Sequence, residues 1–277
     1  MADLDLLDTA MAEVAQGKRV PYLGAEVSAL SGSEAPSTPP ALSAILESKV
    51  RVPRRAVGNL WAVAQYIESR KFRGTLNKLV REAFAVPPGG ANPVYDWLAR
   101  VRPPMVVDSW YDDAILHAFG PGRDDWGYVQ GVSRSGGWTE DYYRAFTAGG
   151  GELDAADPNW PSLIYKPHGL ATAEGSFLMS DADYVEVLTE IDIQTPIPEE
   201  VQNRRTGRPF LFLGCRFDDQ LLRIYARQIA KRSGTGHIAV IPGPLTKMEE
   251  KFFEELSITR IDAPLSEVTE RLTVAEG

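Results

Sequence analysis

The stretch that decides the fold is Arg19-Val20-Pro21-Tyr22-Leu23-Gly24-Ala25-Glu26-Val27-Ser28-Ala29. Its apolar run stops at Gly24 and small residues follow, as where a buried parallel strand breaks into a tight turn. Glycine suits a backbone that turns sharply or approaches something closely. A helix opening just after such a turn would offer free N–H groups to an anion, typically a phosphate. Glu26 is out of place there, because it puts a carboxylate where a phosphate wants bare backbone. The turn therefore has two readings, a nucleotide cradle or a plain strand-to-helix connection.

The same pattern repeats outward from that stretch. Met105-Val106-Val107, Leu163-Ile164-Tyr165, Phe210-Leu211-Phe212-Leu213 and Ile238-Ala239-Val240-Ile241 are short runs that are apolar throughout, and Ile258 to Ile261 forms a last candidate strand. Between them lie amphipathic stretches with apolar residues spaced by three and four. Leu4, Leu7, Met11 and Val14 share one face, as do Leu60, Val63, Ala64 and Ile67, then Leu221, Leu222, Tyr225 and Ile229, and finally Met248, Phe252 and Leu256. Ser180-Asp181-Ala182-Asp183 has capping-box spacing and predicts a helix start. Strands apolar on both faces, alternating with helices, predict an α/β fold with a doubly wound, mostly parallel, Rossmann-like sheet. From 120 to 161 the period fades. A helix is predicted over Thr139–Thr147 and loop elsewhere, so this segment reads as an irregular insertion or small subdomain within one domain of residues 1–277. The Ser- and Pro-rich segment from Ser31 to Pro40 predicts a loop that either covers a ligand or lies free on the surface.

The 277 residues are 44% hydrophobic and 24% charged, with a net charge of −9. Such a surface does not suit a nucleic-acid backbone, so no nucleic-acid partner is expected. No apolar run approaches the ~20 residues that cross a bilayer, so no membrane partner is expected either. The acidic start, Met1-Ala2-Asp3-Leu4-Asp5, lacks the basic and apolar parts of a secretory signal, and a cytoplasmic protein is expected. The single cysteine, Cys215, cannot build a four-cysteine zinc site.

Four segments fall at predicted strand ends, where ligands of open parallel sheets bind. In chain order they resemble the SIR2-like, sirtuin-related family over most of residues 15–265. Gly24-Ala25-Glu26-Val27-Ser28 stands where that family has Gly-Ala-Gly-x-Ser. Asp108-Ser109-Trp110-Tyr111-Asp112 stands where it has Thr-x-Asn-x-Asp, Pro167-His168-Gly169 matches its Leu-His-Gly segment, and Phe210 to Gly214 with Asp218 matches its late strand and helix start. The resemblance implies NAD as substrate or ligand, with Gly24, Ala25, Glu26, Ser28, Ser109, Trp110, Asp112, Gly214 and Asp218 around it. It also implies His168 as the general base as nicotinamide leaves, a task that suits a group with an unperturbed pKa of ~6.5. The zinc module of the deacetylating sirtuins is missing, and members without it resemble NAD hydrolases, some of them in bacterial defence.

Two positions depart from the pattern. Glu26 replaces the third residue of the glycine turn, and Trp110 replaces the asparagine that contacts the ribose. Two functions are therefore expected in competition. One is hydrolysis of NAD to nicotinamide and ADP-ribose; the other is a degenerate scaffold that binds a protein partner or another nucleotide. Assembly as a homo-oligomer is left open. His168 also has a plain reading as a hydrogen-bonded core histidine. An unrelated oxidoreductase is disfavoured, because no Gly-x-Gly-x-x-Gly follows the first strand.

Overall fold

A computed structural model describes residues 4–135, 141–172, 175–190 and 197–274. The strands are β1 (Val20–Leu23), β2 (Met105–Asp108), β3 (Trp126–Gly131), β4 (Tyr143–Thr147), β5 (Glu152–Leu153), β6 (Ser162–Lys166), β7 (Phe210–Leu213), β8 (Ile238–Val240) and β9 (Thr259–Ile261). They form one nine-stranded sheet in the order β5-β4-β3-β6-β2-β1-β7-β8-β9. Every pairing is parallel except β3–β4 and β4–β5.

The helices are α1 (Leu4–Ala15), α2 (Ala25–Ser28), α3 (Pro39–Lys49), α4 (Leu60–Phe84), α5 (Pro93–Val101), α6 (Ala114–Phe119), α7 (Asp181–Glu190), α8 (Glu199–Arg205), α9 (Gln220–Ala230), α10 (Lys247–Leu256) and α11 (Leu265–Val274). They cover both faces of the sheet. Side chains alternate along each strand, so the apolar runs feed two separate cores. Tyr22, Val107, Tyr165 and Phe212 pack with Leu60, Ile67, Tyr225 and Phe252 of α4, α9 and α10. Leu23, Val106, Ile164 and Leu213 pack on the other face with Leu7, Val14, Leu98 and Val268 of α1, α5 and α11. The predicted doubly wound α/β sheet is the observed one.

One local expectation is corrected. The helix predicted over Thr139–Thr147 is strand β4 from Tyr143 onward, while residues 139 and 140 lie outside the described residues. The aromatic residues that blurred the period there serve cross-strand packing: Tyr128 of β3 stacks on Phe146 of β4 with ring centroids 4.9 Å apart. The 120–161 segment thus lengthens the sheet at one edge through β3, β4 and β5.

Capping residues set the helix starts that border the site. Ser180 and Asp183 form the capping box at α7: the Ser180 N–H donates to Asp183 Oδ2 at 3.0 Å and the Asp183 N–H to Ser180 Oγ at 3.2 Å. Asp219, one residue beyond Asp218, caps α9 by accepting from the Leu221 N–H at 2.7 Å. The long α4 is broken at Phe72, which has φ 68° and ψ 154°.

Strand β1 lies between β2 and β7, and successive connections leave it in opposite directions. That is the switch point of a doubly wound sheet, and the carboxyl ends of its strands open a crevice there.

Candidate functional site

Four strand ends meet at this crevice. Gly24 follows β1, Ser109 follows β2, His168 lies two residues beyond β6, and Gly214 follows β7. All four line a cavity of about 410 Å³, together with Ala25, Glu26, Trp110 and Asp218. The remaining two predicted residues, Ser28 and Asp112, line a second cavity of about 980 Å³ instead. Tyr111 borders both.

The glycine turn is built for backbone contact. Gly24 has an ordinary φ of −100°, so no conformational freedom is needed. A Cβ there would sit 2.2 Å from the Gly214 carbonyl oxygen, so glycine is required for close approach between the ends of β1 and β7. The four-residue α2 offers little to an anion. The Glu26 N–H donates to the Gly214 carbonyl at 3.2 Å and the Val27 N–H to the Gly24 carbonyl at 3.2 Å. Two of the donors a phosphate would use there already have partners.

The segment after β2 is held from below by a buried ion pair. Lys166 Nζ lies 2.8 Å from Asp108 Oδ2, and both side chains are fully buried. The same ammonium donates to the Asp112 carbonyl at 2.8 Å, and Asp108 Oδ1 accepts from the Trp110 N–H at 3.2 Å. Burial holds the Asp108 carboxyl above its usual value, at about 6, against the pull of Lys166. Ser109 spends both its N–H and its hydroxyl on the Leu23 carbonyl, at 2.9 and 2.8 Å.

Trp110 is buried, and its Nε1–H donates to the Pro36 carbonyl at 2.7 Å. The loop expected from Ser31 to Pro40 is shorter, residues 32–38, because Pro39 and Pro40 open α3 behind the Thr38 cap, and it is tied down at the crevice by the residue that stands in the asparagine position. The Tyr111 ring borders both cavities, and the Trp110 ring, 5.1 Å from it, lies on the His168 side. On the far side of that boundary the Ser28 hydroxyl donates to Asp112 Oδ2 at 2.6 Å.

His168 is 2% exposed and surrounded by Tyr111, Tyr184 and Tyr225. Its Nδ1 lies 2.8 Å from the Tyr184 hydroxyl, while Nε2 is buried without a hydrogen-bond partner among the described residues. Burial, aided by the Lys166 charge, lowers its pKa to about 3, so the ring is neutral at neutral pH. Tyr184 Oη also lies 3.4 Å from the Leu178 carbonyl. If Nδ1–H donates to Tyr184 and Tyr184 donates to Leu178, Nε2 keeps its lone pair and can accept a proton.

The depressed pKa has a measurable sign. A histidine whose folded pKa lies below its unfolded value binds fewer protons when folded, so its contribution is intact above ~6.5 and is lost as pH falls below that. His237, also buried and lowered to about 4, acts in the same sense. Asp108, raised to about 6, acts in the opposite sense between pH 4 and 6. Comparing wild type with His168→Gln cancels the other two. Urea unfolding at pH 7 and pH 5 should show wild type losing about 2 kcal/mol more than the variant over that interval. Equal losses would mean that His168 is not held neutral by the fold.

Cys215 lies at the cavity wall with its thiol raised by burial, and its Sγ contacts the Tyr22 and Leu213 carbonyls at 3.6 and 3.5 Å. It fills space and is not an activated nucleophile. Among the described residues, no group of three His, Cys, Asp and Glu side chains is placed to hold a metal. Nor is any helix among them long and apolar enough to cross a membrane. Lys166 and Asp219 fall in strand-end segments that stand out in the sequence, Asp219 as a helix-start carboxylate, whereas nothing in the sequence marks Tyr184 or Trp61, which also belong to the site or its support.

A doubly wound parallel sheet places its ligand crevice at the switch point, where these residues meet. More specifically, the model of the SIR2-like domain matches residues 104–261, more than half of the chain, and the chain belongs to that sirtuin-related, NAD-binding family. No curated protein matches it.

Proposed function

We infer that this chain is a SIR2-like domain that keeps a ligand cavity around His168 but no longer hydrolyses NAD. The observation that carries this reading is Trp110. In the family's pattern this position holds the asparagine that orients the ribose. Here it holds a buried indole tied to Pro36, with Ser28 and Asp112 bonded to each other in the neighbouring cavity. His168 and the Ser28–Asp112 pair thus line different cavities, whereas one NAD molecule would have to meet both. Glu26 adds a carboxylate at the turn where the pyrophosphate would lie.

A second reading, hydrolysis of NAD to nicotinamide and ADP-ribose in a bacterial defence setting, is supported by one observation. His168 lines the cavity and its Nε2 makes no hydrogen bond among the described residues, which leaves it open to serve as a general base. The two readings separate in one experiment. Wild type and the Glu26→Gly/Trp110→Asn double variant are incubated with NAD, and binding and nicotinamide release are followed. The degenerate reading expects neither from wild type and a gain of NAD binding in the double variant. Nicotinamide release by wild type that disappears in His168→Ala would establish the second reading.

A further inference from the structure

The cavity around His168 is chemically one-sided. Among the described residues three carboxylates line it, those of Glu26, Asp218 and Asp219, against one cation, Arg216. Arg216 is already engaged: it lies 2.9 Å from Glu249 Oε2 and donates to the Pro242 and Pro244 carbonyls at 3.3 Å. Burial and the neighbouring Asp218 charge both raise the Asp219 carboxyl, as expected where negative charge is crowded and poorly compensated. The turn that would meet a phosphate offers a carboxylate and N–H groups bonded elsewhere.

The walls are aromatic. Tyr22, Trp61, Trp110, Tyr111 and Tyr184 line the same space. Ring faces attract cations and stack on flat ligands, and carboxylates at the rim of such walls reinforce the preference for positive charge. His168 supplies an independent sign of a ligand. The His168 side chain lines this cavity, and its Nε2 is nine-tenths buried or more with no hydrogen-bond partner among the described residues. A buried polar atom left unpaired is costly, and a ligand hydroxyl or amide would satisfy it.

We propose that this cavity takes a phosphate-free, cationic aromatic molecule of the pyridinium-nucleoside class and discriminates against its phosphorylated and dinucleotide forms. This rests on the reading of the cavity as a ligand site and adds the charge of the ligand. A flat cation fits aromatic walls beside three carboxylates, and a ribose hydroxyl suits the lone pair of a neutral histidine. Each phosphate added to that ligand brings negative charge against Glu26, Asp218 and Asp219, so the same groups that attract one ligand repel the other.

The test uses the full chain and a series that shares one head group. Nicotinamide riboside, its 5′-phosphate (nicotinamide mononucleotide) and NAD are titrated by calorimetry at one moderate salt concentration. The riboside should bind at least about tenfold more tightly than NAD, with the mononucleotide between them, the scale set by one poorly screened charge contact. Glu26→Gln and Asp218→Asn should each narrow that preference by about threefold. NAD binding as tightly as the riboside, or a preference unmoved by either variant, overturns the charge selectivity but leaves the cavity a ligand site. Failure of all three molecules to bind overturns both.

Discussion

Replacing Lys166 with methionine is expected to lower stability by about 3–5 kcal/mol, because it leaves the Asp108 carboxylate buried without its cation. Lys166 and Asp108 are each fully buried, and the pair is 2.8 Å apart. The loss reaches the site directly. Lys166 also holds the Asp112 carbonyl, and Asp108 holds the Trp110 N–H, so the segment that carries Trp110 hangs from this pair. Without Lys166 the Asp108 carboxyl, already at about 6, rises further. A carboxyl raised on folding stabilises the folded state at low pH, and that contribution is lost as pH rises through the folded value. Lys166→Met should therefore be most damaged above neutral pH. Asp108→Asn in the same chain should recover most of the loss, since a neutral pair leaves no charge stranded. Urea unfolding of the two variants at pH 6 and pH 8 measures both effects. A cost for Lys166→Met below about 1 kcal/mol would mean that the pair does not hold the site together.

Gly24→Ala is the second large expected effect. The added Cβ would lie 2.2 Å from the Gly214 oxygen and 2.7 Å from Cys215 Cα, and both are backbone atoms that cannot turn aside. The ends of β1 and β7 would have to separate, at the point where the Gly24 N–H donates to the Leu213 carbonyl at 2.8 Å. Overpacking of this kind costs about 3 kcal/mol or more. Gly74→Ala in α4 is the control, since nothing lies within 4 Å of its Cβ and alanine is the better helix former. That change should stabilise by up to about 1 kcal/mol. Similar midpoints for the two variants in thermal unfolding would contradict the packing account of Gly24.

The glycine in the opening stretch was thus legible as a close approach, but not as an approach of backbone to backbone. The fold itself could be read, because each run such as Phe210-Leu211-Phe212-Leu213 is apolar on both faces and only a covered parallel sheet hides both. The region around Tyr128, Tyr143 and Phe146 could not, because aromatic residues serving antiparallel partners across β3 and β4 leave no helical or apolar-run signature. Four of the site's strand ends were visible as residues out of place after apolar runs. Lys166 and Asp108 carried the same signal, each a charge closing an apolar strand, and a buried charge implies a partner. Sequence spacing could not pair them, since β6 joins β2 only through the tertiary register. The split that puts Ser28 and Asp112 in one cavity and His168 in another, with Tyr111 bordering both, was likewise out of reach, because it depends on tertiary packing.

On the proposed reading the cavity around His168 no longer turns over NAD, principally because Trp110 is held by Pro36. The most direct test of that reading is to incubate the wild-type chain with NAD and quantify nicotinamide over hours, with thermal unfolding followed in parallel. No nicotinamide above the spontaneous background and no NAD-dependent rise in Tm are expected, since a ligand that does not bind the folded state cannot stabilise it. Nicotinamide release together with a rise in Tm, both lost in His168→Ala, would contradict that reading.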